Sequence, residues 1–251
     1  MSTGQVIHLE SVDSTNEYLK RQGALLPDGT VVVADHQTAG KGRLGRSWQD
    51  APGQSLLASW LLKSLQGDAL LLLPLAAGMA VLDALDSLGA QGAALKWPND
   101  IVAQRDGRCC KLAGILCEHR AGQQSFSVCG IGVNLLQPQE VFDGRGLPDA
   151  GSVLGVLGAP LKREELLRAI GQSLQKRCAQ AVAEPQALLQ DISARCITLG
   201  RTVKIKAEAG EYTAFAARLD RDGQLICQTE EGEEIKVRAG EVSVRGLNGY
   251  L

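Results

Sequence analysis

The chain has 251 residues, 45% of them hydrophobic, which is enough for one large domain and a small one around a substantial core. Its 26 basic and 28 acidic side chains leave a formal charge of -2 without any long run of like charge, which argues against a general nucleic-acid or membrane-surface binder. The seven cysteines are scattered and form no C-x-x-C pair, so neither a disulfide framework nor a usual zinc site is indicated and a reducing cytoplasm fits best.

Residues 1–8 lack a positive segment followed by an apolar core, so no secretory signal is expected. Val6 to Leu9 reads as a short strand, after which Ser14 with Glu17 three residues on forms a capping-box pattern and predicts a helix start. Gly23 marks its end, and Pro27-Asp28-Gly29 turns the chain into the β-branched strand Val31-Val32-Val33. The stretch that follows, Asp35 to Trp48, sets Gly40, Gly42 and Gly45 among Lys41, Arg43 and Arg46. Glycines let a ligand approach backbone N–H groups and the cations can neutralise carboxylate or phosphate oxygens, which is the chemistry of an anion-binding loop. The three glycines also spell G-x-G-x-x-G, but residues 46–53 read as loop where a dinucleotide fold needs a helix. A P-loop is excluded as well, because Gly42 rather than Ser or Thr follows Lys41.

Gln54 to Leu62 suits a buried strand, and Asp68 to Gly89 a long buried helix with a bend near Pro74; its apolar part, residues 69–82, is shorter than a bilayer span. Lys96 and Asp100 flank a Pro-Asn turn between two strand-like runs, which holds a cation and a carboxylate together at a strand end. Asp106-Gly107 signals a hairpin into the strand Lys111 to Glu118, and a turn near Gly122 leads to the strand Ser125 to Asn134. Gly114, Gly130 and Gly132 fall inside these two strands and point to close backbone approach by a ligand. Residues 144–160 read as loop with a short helix, and helices are predicted over 162–183 and 185–195. After Gly200 come five short strand candidates, 202–206, 212–219, 224–228, 234–237 and 241–244, which imply a small all-β barrel without an obvious catalytic cluster.

Ser14-Thr15-Asn16, the Gly40 to Arg46 loop, Lys96-Trp97-Pro98-Asn99-Asp100, Lys111 to Leu116 and Gly130 to Leu135, in that order and spacing, resemble the biotin protein ligases, also called biotin–[acetyl-CoA-carboxylase] ligases. The resemblance covers nearly the whole chain. It implies an α+β fold: a class II synthetase-like ligase core with a mixed, largely antiparallel sheet over 1–198, then an SH3-like barrel over 199–251. The chain is similar to the short form without the N-terminal DNA-binding domain, so no direct DNA binding and no membrane association are expected, as a monomer or homodimer. The implied reaction joins biotin and ATP, with Mg²⁺, into biotinyl-5′-AMP and then transfers biotin to a lysine of a biotin carboxyl carrier domain.

By this resemblance Ser14, Thr15, Asn16 and Gln37 meet the biotin ureido group. Lys41, Gly42, Arg43 and Lys111 line the carboxylate and acyl-phosphate, with Arg43 and Lys111 catalytic, and Gly114, Ile115 and Gly132 pack on the biotin rings. Gly40, Arg43, Arg46, Trp48, Lys96, Asn99 and Asn134 fall to ATP or the adenylate, and Asp100 to the metal. Lys41 stands where the family often has arginine. It keeps the charge but loses the planar fork, so weaker retention of biotin or its adenylate is expected than in an arginine form. The nearest alternative is a lipoate or octanoate ligase or transferase, against which the polar Ser-Thr-Asn start argues. A module that only holds biotinyl-AMP is disfavoured by Lys111, Asp100 and the cationic loop.

Overall fold

The computed structural model describes residues 4–207, 210–239, 243–246 and 250. Seven strands, β1 (Val6–Val12), β2 (Val31–Gln37), β3 (Ser55–Leu62), β4 (Ala93–Lys96), β5 (Asp100–Arg105), β6 (Arg108–Arg120) and β7 (Phe126–Asn134), form one sheet in the order β1-β2-β3-β7-β6-β5-β4. Only β1 and β2 pair in parallel, since the helix α1 (Thr15–Gln22) provides the crossover that a parallel pair needs. All the other neighbours are antiparallel.

Helices cover both faces of this sheet, which is why β3 is apolar almost throughout and buried at every residue. Leu61 joins Leu19 of α1, Val32, Phe126 and Val128 in one cluster. Ala58, Trp60 and Leu62 turn the other way, toward α2 (Ala69–Ser87) and α5 (Arg163–Ala183). By length and composition α2 is apolar enough to cross a bilayer, but most of it is buried inside the molecule. It continues through Pro74. The short helices α3 (Gln139–Asp143) and α4 (Val153–Leu157) punctuate the loop after β7, and α6 (Pro185–Arg195) follows α5. Of these, α3 was not anticipated, because its five residues carry no apolar periodicity.

The capping box does not form. Ser14 occupies the N-cap of α1 in extended backbone, but its side chain makes no capping bond, and its own N–H donates to Asp13 Oδ1 at 2.8 Å. Glu17 turns instead to Lys20 and Lys41. At the predicted hairpin Asp106 and Gly107 take φ of 51° and 74°, as the tightest hairpin turns require.

The predicted barrel is a five-stranded antiparallel sheet, β11-β10-β9-β8-β12, made of β8 (Arg201–Ala207), β9 (Gly210–Leu219), β10 (Leu225–Gln228), β11 (Glu234–Val237) and β12 (Ser243–Gly246). Glu241 and Val242, which the sequence reading put in the last strand, lie outside the described residues. This sheet is seated on the larger one. Ile197 N–H bonds the Leu95 carbonyl, the buried Trp97 donates its indole N–H to the Gly223 carbonyl at 3.0 Å, and one apolar cluster runs from Leu72 to Val203 and Ile205.

Candidate functional site

Two adjoining cavities open where the end of β2, the start of α1, the cationic loop and the strands β5, β6 and β7 meet. The inner one is lined by Ser14, Thr15, Asn16, Gln37, Lys41, Gly42, Arg43, Lys111, Gly114, Ile115 and Gly132, that is, by every residue the resemblance gave to biotin. Trp48 and Asn99, Gly130 of the glycine-bearing strands, and Leu57, Ala58, Leu116 and Ile131, which carried no sequence signal for a contact, complete it.

Its polar end is a tied set of side chains. Gln37 Oε1 accepts from the Thr15 N–H at 2.8 Å, Ser59 Oγ lies 2.7 Å from Thr15 Oγ1 and 2.6 Å from Asn16 Oδ1, and Asn16 Nδ2 donates to the Leu116 carbonyl and to Glu118 Oε2. The floor depends on missing side chains. Gly114 pairs with Gly132 across β6 and β7, Leu116 pairs with Gly130, and a Cβ on Gly130 would come within 2.1 Å of Asn16 Oδ1. A Cβ on Gly132 would meet the Trp48 indole at 2.6 Å and one on Gly114 would meet it at 3.0 Å, so the ring is packed against the glycines that the resemblance gave to the biotin rings. Only about 50 Å³ is left open here, room for one or two waters. Trp48 Nε1 is buried there without a hydrogen-bond partner.

The cationic loop is itself a small hairpin. Gly42 N–H bonds the Arg46 carbonyl at 2.7 Å and Trp48 N–H the Gly40 carbonyl at 2.9 Å, with a single turn over Arg43–Gly45 at the tip. Gly40 belongs to the base of that hairpin, where a Cβ would press on the Trp48 carbonyl at 2.5 Å, and it is not among the residues lining either cavity. At the tip Leu44 adopts φ 55° and exposes its side chain. Lys41 leaves the loop toward α1, 2.7 Å from Glu17 Oε1. Arg43 turns inward to Asn99 Oδ1 at 2.8 Å and to the carbonyl of Ala239, and burial pulls its guanidinium pKa down.

The outer cavity, about 380 Å³, is bordered by Arg46, Trp48, Lys96, Asn99, Asp100, Lys111 and Asn134. Register explains its charged corner: Lys96 and Asp100 face each other across β4 and β5, and Asp100 pairs with Gly114 of β6. Lys111 Nζ lies 2.6 Å from Asp100 Oδ1, and Tyr250 donates its hydroxyl to Oδ2. Burial alone would raise the Asp100 pKa, but Lys111 and Lys96 outweigh it and hold the carboxyl below its usual range. Lys96 donates to the Val244 carbonyl at 2.9 Å, its ammonium lies 3.9 Å from the Tyr250 ring centre, and burial brings its pKa down to about 8. Asn134 is tied to the Gly151 carbonyl at 3.1 Å. Val244, Arg245 and Tyr250 border the same cavity, so the C-terminal sheet, in which the sequence reading found no functional cluster, supplies one wall.

Chemically the site joins a neutral hydrogen-bonding end to an anion-binding end bordered by Arg43, Arg46, Lys96, Lys111 and Arg245, and among the described residues it presents no activated nucleophile. Among the described residues no group of three His, Cys, Asp or Glu side chains is placed to hold a metal. Asp100 could therefore offer Mg²⁺ a single carboxylate, already shared with Lys111 and Tyr250, not a cage. One or two carboxylates with phosphate oxygens and water are what Mg²⁺ ordinarily accepts, so the site fits an ion that arrives on a phosphate ligand.

Residues 8–134 match the biotin/lipoate A/B protein ligase family and residues 198–245 the biotin protein ligase C-terminal domain. The chain is 38% identical to the biotin–[acetyl-CoA-carboxylase] ligase of Mycobacterium tuberculosis, over 86% of this chain and 79% of that protein. It is 31% identical to the enzyme of the same name from Paracoccus denitrificans, over 95% of this chain and all of that one. The biotin protein ligase of Aquifex aeolicus, solved with biotin and ATP, superposes with a TM-score of 0.80 at 31% identity, covering 96% of this chain and 99% of that one.

Proposed function

The chain belongs to the biotin protein ligases of the biotin/lipoate A/B protein ligase family, and from that membership we propose how its own residues carry the reaction. It activates biotin with ATP to biotinyl-5′-AMP, releasing pyrophosphate, and transfers the biotin to a lysine of a biotin-dependent carboxylase. The observation that carries the assignment of roles is the adjacency of the two cavities, which share Gly42, Arg43, Trp48, Asn99 and Lys111.

Biotin's cyclic urea is neutral and needs donors and acceptors, and Ser14, Thr15, Asn16 and Gln37 supply both. Its carboxylate then lies toward Lys111 and Arg43, while the triphosphate occupies the outer cavity beside Lys96 and Arg46. When the carboxylate attacks the α-phosphorus and pyrophosphate departs, two anions are forced together, so the groups that count are cations fixed in advance. Each charge-assisted contact contributes roughly 1.5–3 kcal/mol. Asp100 would hold Mg²⁺ on the protein side, where the ion would neutralise phosphate charge. In the second step the carrier lysine's amine attacks the acyl carbon, AMP leaves, and the amine gives up a proton. No covalent enzyme intermediate is needed.

Trp48 has to swing off Gly114 and Gly132 before biotin's rings can reach them. Its unpartnered Nε1 supports a low cost for that movement, since a buried donor without a partner costs about 1–3 kcal/mol where it stands. A ring displaced into the outer cavity is then available to stack on adenine. The ligase core is assigned to residues 1–198 and the C-terminal module to 199–251, and the seven free thiols support a cytoplasmic home. Incubation with MgATP and either biotin or lipoate, following pyrophosphate and then label on a carrier domain, tests the reading. Release with biotin and label on one lysine is expected; activity with lipoate alone would move the specificity to the other branch of the family.

A further inference from the structure

We propose that Glu17 is a positioning residue that latches the cationic loop over the inner cavity through Lys41, and so sets how long the adenylate is retained. The inference rests on the ligase reading above. Glu17 Oε1 receives Lys41 Nζ at 2.7 Å and Lys20 Nζ at 2.8 Å. Lys20 also reaches Glu118 Oε1 at 2.7 Å, and the other oxygen of Glu118 accepts from Asn16 Nδ2 at 2.9 Å. A continuous run of side chains, Lys41–Glu17–Lys20–Glu118–Asn16, thus ties the loop to the polar end of the inner cavity.

An isolated surface ion pair would contribute little, but Glu17 is only 19% exposed and is shared by two ammonium groups within a network. The two lysines hold its carboxyl pKa below the usual range, Lys20 foremost. The helix start leaves Glu17 available for this role. A capping box would have engaged it with the Ser14 N–H, but Asp13 takes that proton donor instead. Lys41, which is directed at α1, also stands where the family often has arginine. A lysine's compact ammonium can be held by one carboxylate oxygen, so here the loss of the bidentate fork is balanced by an anchor on α1. The strand-like bridge between Lys41 and Ser47 carries that anchor across both arms of the hairpin.

The test uses the full chain as Glu17→Gln, Lys41→Met and the double variant, with two readouts. The first is tryptic cleavage after Arg46 in the ligand-free protein. The second is release of preformed biotinyl-AMP, set against the rate of pyrophosphate formation. A latch predicts cleavage at least fivefold faster in Glu17→Gln, adenylate release five- to twentyfold faster with a smaller fall in adenylation, and a double variant no worse than either single one. Unchanged cleavage and release in Glu17→Gln, beside a large effect of Lys41→Met, would show that Lys41 acts on the ligand alone and overturn the proposal. Multiplying effects in the double variant would overturn it too. If the wild-type chain makes no adenylate from biotin, the ligase reading fails, while the cleavage assay still decides whether the latch exists.

Discussion

Replacing Gly130 by alanine is the sharpest probe of the inner cavity. The added methyl would lie 2.1 Å from Asn16 Oδ1 and 2.8 Å from its Cγ, far inside contact distance, so Asn16 has to retreat by about an ångström or more. That side chain accepts from Ser59 and donates to the Leu116 carbonyl and to Glu118, and a shift of this size lengthens all three bonds beyond useful range. At about 1 kcal/mol for each neutral bond and somewhat more for the carboxylate, roughly 3 kcal/mol of positioning is lost. If that loss falls on biotin binding, the dissociation constant rises about a hundredfold, at 1.4 kcal/mol for each factor of ten. ATP binding, in the neighbouring cavity, stays within about threefold on the same scale. Titration calorimetry with biotin alone and with ATP alone measures both. A folded Gly130→Ala protein that binds biotin within threefold of wild type would refute the argument that Asn16 is set by the bare backbone beneath it.

Lys96 is charged below its pKa of about 8 and neutral above it, so the KM for ATP is expected to rise roughly tenfold between pH 7 and 9 and to lose that dependence in Lys96→Arg; parallel profiles in the two proteins would rule out Lys96 as the source. Trp97→Phe removes the donor to the Gly223 carbonyl and leaves that acceptor buried, which lowers unfolding stability by about 1–3 kcal/mol in urea titrations; no shift in midpoint would mean that the contact contributes nothing to holding the two sheets together. Biotin binding without ATP is expected to change tryptophan fluorescence as Trp48 leaves the glycine floor, and the change should vanish in Trp48→Phe; a signal that persists there belongs to Trp60 or Trp97.

Much of this architecture is legible in the chain because it is written in side-chain type. The run Leu56 to Leu62 is apolar on both faces because helices cover both faces of its sheet, and three glycines in two adjacent strands do mark a floor that neighbouring groups approach closely. Lys96 and Asp100 come together because a four-residue separation across a tight turn puts them in register. Other features leave no such trace. The carbonyls of Ala239 and Val244, which hold Arg43 and Lys96, belong to backbone that any residue could supply. Tyr250 meets Asp100 across 150 positions, a pairing that only tertiary structure creates. Glu17 was legible as a residue but not as a partner, because S-x-x-E spacing is compatible both with a cap and with a side chain facing outward from the first turn.

The way each cation is held explains how the site stays attractive to anions. Lys41 and Lys111 face carboxylates, but Arg43 is fixed by an amide oxygen and a backbone carbonyl, and Lys96 by another carbonyl. A neutral acceptor orients a cation without cancelling its charge, whereas a carboxylate does both. Arg43 and Lys96 are therefore oriented toward phosphate oxygens by neutral acceptors, although burial lowers the pKa of each, Lys96 to about 8, and both also feel the Asp100 carboxylate. Those neutral anchors, Ala239 and Val244, come from the C-terminal part of the chain. The C-terminal part thus acts on the chemistry largely through its backbone, by fixing two cations of the core at the border of the outer cavity, beside the side chains of Arg245 and Tyr250 that border it too.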